Sequence, residues 1–438
     1  MIPLRIGVMG LGTVGAGVFQ VLERNSGEIA RRTGRGLQVT QVSRRNLDAA
    51  RELVGDRATV VADPHAIATS PDIDVVVELI GGTTLARDLV LLALRHGKHV
   101  VTANKALLAV HGEEIFGEAR RLGLTVSFEA AVAGGIPVIK MLREGLSANR
   151  ISWLAGIING TTNFILTEMR DRGLPFADVL QEAQRLGYAE ADPTFDIEGV
   201  DAAHKLALMG AIAFGMPVQF DSVYVEGITA LHSQDIRYAG QMGYRIKLLG
   251  IARRRDDAGG VELRVHPTLV PEKCLMASVE GAMNAVMVQG DAVGTTLHYG
   301  KGAGSEPTAS AVVADLVDIA RLASAAPEHR VPSLSFQPDA LQNLRVLSID
   351  EVVTAFYLRL VVADRSGVLA DITRILAAHD ISLDAVRQRE SSHGEQQTDL
   401  VVLTHETIES ALRAALKDIQ ALPSVLQPVV ALRKEELA

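Results

Sequence analysis

Two charged residues interrupt an apolar stretch over residues 200–214, which otherwise consists mainly of Ala, Leu, Met, Ile and Phe. Asp201 and Lys205 are four positions apart, so on a helix their side chains share a face and can pair. Most pairs with this spacing are solvated salt bridges. Charge on an apolar helix is costly to bury, however, and work in a cleft would account for it. We therefore interpret Lys205 as a candidate proton donor that Asp201 holds in place.

A polar loop precedes this helix, with the sequence Gly187-Tyr-Ala-Glu-Ala-Asp-Pro-Thr-Phe-Asp196. Glu190 on this loop can bind an ammonium group of a substrate. The alternative interpretation is an ordinary exposed loop carboxylate.

The chain begins with an apolar strand that runs directly into a glycine-rich turn and then a helical stretch over residues 14–24. In this order the GxGxxG pattern predicts a dinucleotide site, whereas the pattern alone is weak evidence. The first glycine permits the tight turn, the second lets backbone amides approach a pyrophosphate, and the third lets the helix sit close to the strand. The positive end of the helix would face the phosphates. The predicted nucleotide-binding residues of this turn are Gly10, Gly12, Thr13, Val14 and Gly15.

Arginines follow the second predicted strand, over residues 37–43, where an acidic residue would bind a ribose 2′-hydroxyl. Arg44 and Arg45 instead suit a 2′-phosphate, so NADP(H) is favoured over NAD(H). The alternative is that both arginines are simply solvated.

Length and composition indicate a globular protein of several domains. The chain has 438 residues, which predicts two to four domains, and its 48% hydrophobic content is enough for sizeable cores. No apolar run is long enough to span a bilayer, and the start of the chain enters the first strand without room for a signal peptide. We therefore expect a cytoplasmic protein without a membrane partner.

The cysteine count and the charge exclude further classes. The single cysteine, Cys274, excludes an internal disulfide and a cysteine-based metal cage, and its surroundings suggest a packed apolar side chain rather than a catalytic thiol. The net charge of −9 comes without a long basic block, which argues against a nucleic-acid partner.

The order of predicted elements indicates an α/β protein with three domains and a linker. Residues 1–133 repeat strand and helix, as in a doubly wound parallel sheet, and include a helix over 113–122 and a strand over 124–130. Residues 134–308 read as a central α+β substrate domain. Residues 299–304 form a second glycine loop, which leads into a helix over 309–324 that we expect to pack back onto the first domain.

The end of the chain has a pattern of its own. Three prolines mark residues 325–345 as a linker. Beyond it, residues 350–438 give the order βαββαβ, with a last strand over 426–432, and we expect this domain to fold by itself.

Six strings, in this order along residues 1 to about 345, closely resemble the homoserine dehydrogenase family. They are Gly10-Leu-Gly-Thr-Val-Gly15, Val101-Thr-Ala-Asn-Lys105, Ala131-Val-Ala-Gly-Gly-Ile-Pro137, Gly156-Ile-Ile-Asn-Gly-Thr-Thr-Asn163, Gly187-Tyr-Ala-Glu-Ala-Asp-Pro193 and Gly302-Ala-Gly304. The resemblance implies an N-terminal Rossmann-type domain and reversible NAD(P)-dependent interconversion of L-homoserine and L-aspartate 4-semialdehyde.

The resemblance also implies roles for individual residues. Lys205 would be the proton donor, Glu190 a homoserine ligand, and Asp201 and Asp196 supporting carboxylates. Lys105 would lie near the nicotinamide and the substrate, and Gly302 against the cofactor.

A monovalent cation, usually sodium, is a further property that the resemblance implies. Its ligands, mainly backbone oxygens, would come from Glu129, Val132, Gly134 and Ile136. From the residues alone this stretch is only a glycine-permitted turn. Lys301 lies in a loop where some relatives have proline.

The C-terminal domain resembles an ACT domain, a small-molecule sensor that is often attached to enzymes of amino-acid pathways. Asp364 and Gly367 precede its first helix, whose free amides can receive an amino-acid carboxylate. This implies feedback control, with threonine as the leading effector. The alternative is a domain retained for assembly. Catalytic domains of the resembled family pair as dimers, so the resemblance also implies that residues 134–308 serve dimerisation and that the protein is a homodimer or homotetramer.

Two other functions are alternatives to a dehydrogenase. The first is a non-enzymatic NADP-binding sensor, against which Asp201 and Lys205 argue. The second is a phosphorylating semialdehyde dehydrogenase, which requires a cysteine nucleophile that the setting of Cys274 does not suggest.

Overall fold

The computed structural model describes residues 2–322, 325–389 and 396–437. Its strands are β1 (Leu4–Met9), β2 (Leu37–Ser43), β3 (Thr59–Val61), β4 (Val75–Glu78), β5 (His99–Thr102), β6 (Val126–Ser127), β7 (Ile151–Ile157), β8 (Tyr224–Val225), β9 (Tyr244–Arg255), β10 (Gly260–Pro271), β11 (Met283–Gly290), β12 (Gly294–Lys301), β13 (Arg345–Val346), β14 (Val353–Ala363), β15 (Leu383–Gln388), β16 (Gln397–Thr404), β17 (Thr407–Ile408) and β18 (Val430–Lys434).

Its helices are α1 (Thr13–Arg24), α2 (Ser26–Thr33), α3 (Leu47–Val54), α4 (Pro64–Thr69), α5 (Leu85–Arg95), α6 (Lys105–Arg121), α7 (Val138–Lys140), α8 (Gly160–Arg172), α9 (Phe176–Arg185), α10 (Thr194–Ile197), α11 (Val200–Phe214), α12 (Ser233–Gln241), α13 (Ser305–Leu322), α14 (Val368–Ala378) and α15 (Glu409–Gln420). Among the described residues, none of the helices combines the length and apolarity needed to cross a membrane.

By contact the chain forms two compact units, each assembled from separate segments. The first contains Met1–Gly160, Asp201–Val223 and Ala282–Leu344, and the second contains Thr161–Val200, Tyr224–Gly281 and Arg345–Ala438. The sequence-based boundaries at 133, 308 and 350 were drawn along the chain and remain predictions.

The first unit is built on a parallel sheet with strand order β3-β2-β1-β4-β5-β6. This is the order of a doubly wound dinucleotide-binding sheet, which confirms the predicted fold class. Strands β1, β4 and β5 are almost completely buried because helices cover both faces of such a sheet. The carboxyl ends of these strands therefore meet along one edge, where ligands bind in open α/β sheets.

Helix α13 packs against α1, although most of the first unit separates them in sequence. Ala309, Val312 and Leu316 join the apolar core of the β1–α1 region. At the helix start, Arg24 pairs with Glu306 at 2.8 Å and Ser305 Oγ donates to Thr13 O. The predicted helix over 309–324 thus begins earlier, and residues 323–324 lie outside the described part of the chain.

Helix α11 carries the predicted Asp201–Lys205 pair and is almost entirely buried. Every residue from Asp201 to Phe214 is buried. In the same unit β7, β11 and β12 pair in antiparallel fashion. Strand β7 ends at Ile157, and the next two residues contact the charged pair of α11: Ile158 through its backbone oxygen and Asn159 through its side chain.

The second unit is a mostly antiparallel sheet with the order β9-β10-β18-β14-β16-β15. The predicted βαββαβ pattern is present as β14-α14-β15-β16-α15-β18, and its own apolar core includes Leu358, Ile372 and Leu412. Strand β18 pairs with β14 on one side and with β10 on the other. The C-terminal sheet therefore continues into the β9–β10 hairpin, a pairing that the linker prediction did not include.

Buried ion pairs also join these parts of the second unit. Asp235 on α12 accepts bonds from the Arg359 guanidinium of β14 at 2.5 and 3.0 Å and from the Tyr357 hydroxyl at 3.0 Å. Tyr238 on α12 donates to Asp399 of β16 at 2.6 Å.

Four further predicted element bounds were wrong. Helix α6 begins at Lys105 rather than 113, because the Asn104 side chain caps it by accepting from Leu107 N. The strand predicted over 124–130 is only β6, since a 3-10 turn at Glu129–Ala131 ends it. The loop predicted from 299 is partly β12, whose backbone pairs with β11. The last strand is Val430–Lys434 rather than 426–432, because Val429 N binds the Gln420 side chain and turns the chain there.

Candidate active site

The predicted pair on α11 is formed and buried. Lys205 Nζ lies 2.7 Å from Asp201 Oδ2, and the two side chains are 11% and 4% exposed. Lys205 also donates to the backbone oxygen of Ile158 at 2.7 Å. The solvated salt bridge that spacing alone would suggest is therefore not what the structure contains.

A second lysine reaches the same carboxylate. Lys105 is the first residue of α6, directly after β5, and its Nζ lies 3.1 Å from Asp201 Oδ1. The structure thus brings together Lys105, Asp201 and Lys205. The sequence analysis predicted Lys205 as the proton donor, Asp201 as its supporting carboxylate and Lys105 as a residue near the substrate. One ammonium group lies at each oxygen of Asp201.

Asn159 belongs to this cluster and was not predicted. Its side-chain amide donates to Asp201 Oδ2 at 2.8 Å, and the residue is buried. The only signal in the sequence was its position inside the string from Gly156 to Asn163, which carried the resemblance without a role for this residue.

The cluster keeps Asp201 ionised. Burial alone would raise the pKa of Asp201, but the charges of Lys205 and Lys105 and the bonds from Lys205 and Asn159 hold it well below its usual range. Two ammonium groups around one carboxylate leave a net positive charge. Such an arrangement can stabilise negative charge that develops on an oxygen placed beside it.

The glycine turn fits a dinucleotide. Gly10 has φ of 98°, and a side-chain carbon there would lie 2.6 Å from Leu79 O; at Gly15 it would lie 2.4 Å from Gly10 O. At Gly12, by contrast, an added carbon meets nothing within 4 Å. This open space lies at the N-terminus of α1, beside Thr13 and Val14, where a pyrophosphate can approach the backbone.

The two candidate 2′-phosphate ligands follow β2 next to this turn. Gly10 N and Leu11 N both donate to Ser43 O, at 3.2 and 2.9 Å, so the end of β2 is held against the glycine turn. Arg44 is half-buried and Arg45 exposed. Their position suits contact with a ribose substituent.

Gly302 lies in a tight junction between β12 and the turn after Ala133. A side-chain carbon on Gly302 would lie 2.0 Å from the Asn284 amide, and one on Gly134 would lie 2.3 Å from Gly302 O. Both positions therefore require glycine. Asn284 was not predicted, and its buried Oδ1 has no hydrogen-bond partner among the described residues.

The segment predicted to hold a cation contains two consecutive left-handed residues, Ala133 at φ 53° and Gly134 at φ 50°. The carboxylate of Glu129 accepts bonds from Ile139 N and Lys140 N at 2.9 and 2.8 Å, and burial raises its pKa to about 7. This side chain thus serves the start of α7, which leaves a backbone oxygen as the group that Glu129 can offer a cation. Groups of three or more His, Cys, Asp or Glu side chains suited to a metal are absent from the described residues.

Glu190 and Asp196 lie in the second unit. Glu190 is exposed, and its loop is held by Gln184, whose amide donates to Glu190 O at 3.1 Å and to Ala191 O at 3.2 Å. Asp196 lies on the single-turn helix α10 and is half-buried.

The predicted regulatory residues precede α14. Gly367 is the N-cap of this helix and has φ of 93°, a conformation that favours glycine. Asp364 N donates to Gln396 O at 2.9 Å, so the start of this turn is held at the end of β14.

Comparisons with known proteins match the whole length of the chain. Residues 10–129 match the family model for the homoserine dehydrogenase NAD binding domain, residues 137–317 the homoserine dehydrogenase model, and residues 356–424 the ACT domain model. Homoserine dehydrogenase of Pseudomonas aeruginosa is 57% identical over 437 residues, which is 100% of both chains.

Solved structures give the same result. The crystal structure of a homoserine dehydrogenase from Thiobacillus denitrificans is 60% identical, with a TM-score of 0.95 and coverage of 100% of this chain and 99% of that one. A hyperthermophilic archaeal homoserine dehydrogenase in complex with NADPH is 25% identical, with a TM-score of 0.62 and coverage of 79% and 100%. These matches favour neither the sensor nor the phosphorylating enzyme.

Proposed function

This chain belongs to the homoserine dehydrogenase family of oxidoreductases, and from that premise we propose that Lys205 is the proton donor in the reversible reduction of L-aspartate 4-semialdehyde to L-homoserine. A bound nicotinamide cofactor would supply the hydride. The observation that carries the proposal is the buried Asp201 carboxylate, at which the ammonium groups of Lys205 and Lys105 meet.

The chemistry of each side chain follows from this contact. Lys205 would give a proton to the carbonyl oxygen of the semialdehyde as that oxygen becomes an alcohol. Asp201 orients the ammonium group and stabilises its charge before transfer. Lys105 adds a second positive charge, which lowers the energy of the developing alkoxide.

The substrate is an amino acid, so its ammonium group needs a carboxylate. We propose that Glu190 binds this group and that Asp196 supports it. The support is that Glu190 is an exposed carboxylate on a loop whose backbone Gln184 holds in place.

The chain has an NAD(P)-binding domain, and we propose that it prefers NADP(H). Arg44 and Arg45 occupy the positions where an acidic residue would favour NAD(H). The cofactor would lie along the glycine turn and against Gly302.

We also propose a sodium site formed by backbone oxygens of Glu129, Val132, Gly134 and Ile136. Uncharged carbonyl donors suit a hard monovalent cation and not a metal that requires thiolate or imidazole ligands. The successive left-handed residues redirect the carbonyl groups of this turn.

The ACT domain implies an amino-acid effector, and we propose threonine, received near Asp364 and Gly367 at the start of α14. We further propose a homodimer or homotetramer, and a cytoplasmic location on the basis of the single cysteine. Sedimentation at several protein concentrations tests the assembly.

Initial rates of the purified chain test this function. Semialdehyde reduction is followed with NADPH and with NADH, each with sodium or another monovalent cation, and with and without threonine. We expect turnover with both nucleotides, a lower KM for NADPH and inhibition by threonine. If neither NADPH nor NADH supports reduction of the semialdehyde, the proposal is wrong.

A further inference from the structure

Glu78 is a fully buried acid at the carboxyl end of β4, where the other three residues of the strand are Val. A carboxylate in such surroundings is costly unless hydrogen bonds compensate it. The sequence analysis assigned no role to this residue.

The two oxygens of Glu78 hold two different parts of the site. Oε1 accepts from Ile80 N at 2.8 Å and from Gly81 N at 3.0 Å, which fixes the turn after β4. Oε2 accepts from the Thr102 hydroxyl at 2.6 Å, which fixes the end of β5.

The turn held by Oε1 presses against the nucleotide-binding glycines. Leu79 N donates to Met9 O at 2.8 Å, and Leu79 O is the atom that a side-chain carbon on Gly10 would meet first, at 2.6 Å. A displacement of residues 79–81 would therefore displace Gly10.

The threonine held by Oε2 leads to the catalytic cluster. Thr102 Oγ1 accepts from Asn104 N at 3.0 Å. The Asn104 side chain caps α6 through Leu107 N at 3.1 Å and donates to Gly82 O at 2.7 Å. Lys105, the first residue of this helix, is the one that reaches Asp201.

We propose that Glu78 is a positioning residue that couples the nucleotide-binding turn to Lys105. Its carboxylate is suited to this because both oxygens accept, one from backbone amides and one from a hydroxyl. An amide in its place presents an NH2 group that cannot accept from either partner. The inference rests on the proposed role of Lys105.

The test uses the full-length chain with Glu78→Gln, Thr102→Val and Thr102→Ser. NADPH affinity is measured directly by fluorescence, apart from turnover, and melting temperatures verify folding. We expect Glu78→Gln to weaken NADPH binding several-fold and to lower kcat about tenfold, since small displacements of positioned groups are costly. Thr102→Val should lower kcat with little effect on NADPH affinity, and Thr102→Ser, which keeps the hydroxyl, should recover most of that loss.

A double variant with Lys105→Ala decides whether Glu78 acts through this lysine. If it does, Glu78→Gln should change kcat much less in the Lys105→Ala background than in the wild type. Any of three results would overturn the inference. Glu78→Gln lowers kcat by the same factor in both backgrounds, folded Glu78→Gln binds NADPH as the wild type does, or Thr102→Ser loses as much kcat as Thr102→Val. If Glu78→Gln fails to fold, the Thr102 pair decides alone. If Lys105→Ala has the kcat of the wild type, the proposed role of Lys105 is wrong, and so is this coupling. If instead the wild type does not reduce the semialdehyde but Glu78→Gln still weakens NADPH binding, only the proposed reaction is wrong.

Discussion

Asn159 and Lys205 bind the same oxygen of one carboxylate: both donate to Asp201 Oδ2, at 2.8 and 2.7 Å. Oδ1 is left to Lys105. The direction of the Asp201 side chain is thus set from three sides by groups on separate segments of the first unit. The predictions below follow from this arrangement and from buried charges elsewhere.

Replacement of Lys205 by Ala should lower kcat by about two orders of magnitude or more, because a positioned acid contributes roughly 10²- to 10⁴-fold. NADPH binding, measured by fluorescence, should stay nearly unchanged. Lys417→Ala, at an exposed lysine on α15, is the matched control and should turn over normally. Wild-type kcat in Lys205→Ala would remove this lysine from the mechanism.

Asn159→Ala should lower kcat about tenfold, since a hydrogen bond to a charged group is worth about 1.5–3 kcal/mol. The KM for NADPH should not change, because Asn159 donates to Asp201, which we place in the catalytic cluster rather than at the nucleotide. Asn149→Ala is a suitable control: its side-chain oxygen accepts from Val293 N at 2.8 Å, away from the cluster. If both variants lose stability and neither loses kcat, the positioning role is wrong.

Arg44→Ala should raise the KM for NADPH about tenfold and leave that for NADH nearly unaffected, because only NADPH carries the 2′-phosphate that a guanidinium can bind. Steady-state kinetics with both nucleotides measures the difference. The control is Arg51→Ala on α3, an exposed arginine that pairs with Asp48. Equal losses for the two nucleotides contradict the assignment.

Arg359→Met should destabilise the second unit by about 3–5 kcal/mol, because it leaves the Asp235 carboxylate buried without its cation. Chemical denaturation measures the loss. The double variant Asp235→Asn/Arg359→Met should regain part of it, while Arg374→Met, at an exposed pair on α14, should cost little. A single variant as stable as this control would show that the buried pair contributes nothing.

Lys247 on β9 should give the protein a rise in stability at alkaline pH. This lysine is 2% exposed and donates to Val279 O at 2.5 Å, and burial lowers its pKa from 10.5 to about 8. Between those pH values the unfolded chain binds more protons than the folded one, so the free energy of unfolding increases with pH. The increase is at most about 3.5 kcal/mol, at about 1.4 kcal/mol per pKa unit.

In Lys247→Met this alkaline contribution should disappear. Thermal unfolding from pH 7 to pH 10 should therefore differ between variant and wild type by an amount that changes with pH. Lys273→Met, at an exposed lysine, should run parallel to the wild type throughout. A parallel curve for Lys247→Met would mean that this lysine titrates normally.

Sequence reasoning worked best where interactions are local. The Asp201–Lys205 pair follows from helical spacing, and the glycine turn follows from its place after a strand. The doubly wound parallel sheet was predictable because alternating strands and helices permit few arrangements. The contacts of Lys105 and Asn159 with Asp201 join distant segments, and no spacing along the chain encodes them.

Glu78 shows the same limit in another form. In the sequence it is one charge after three valines, and only the hydrogen bonds to Ile80, Gly81 and Thr102 show why it is tolerated. The prolines of residues 325–345 likewise indicated a linker between separate domains. In the structure, however, β18, which follows this segment, pairs with β10, which precedes it.

The position of strand β18 bears on how the chain folds during translation. It lies between β10 and β14 in the sheet but follows both in the chain. During translation, the edges of β10 and β14 that β18 covers therefore remain unpaired until the residues up to β18 have been synthesised. Exposed edges of this kind invite association between nascent chains, so the yield of folded enzyme should be most sensitive to translation speed and chaperone supply in this last stretch.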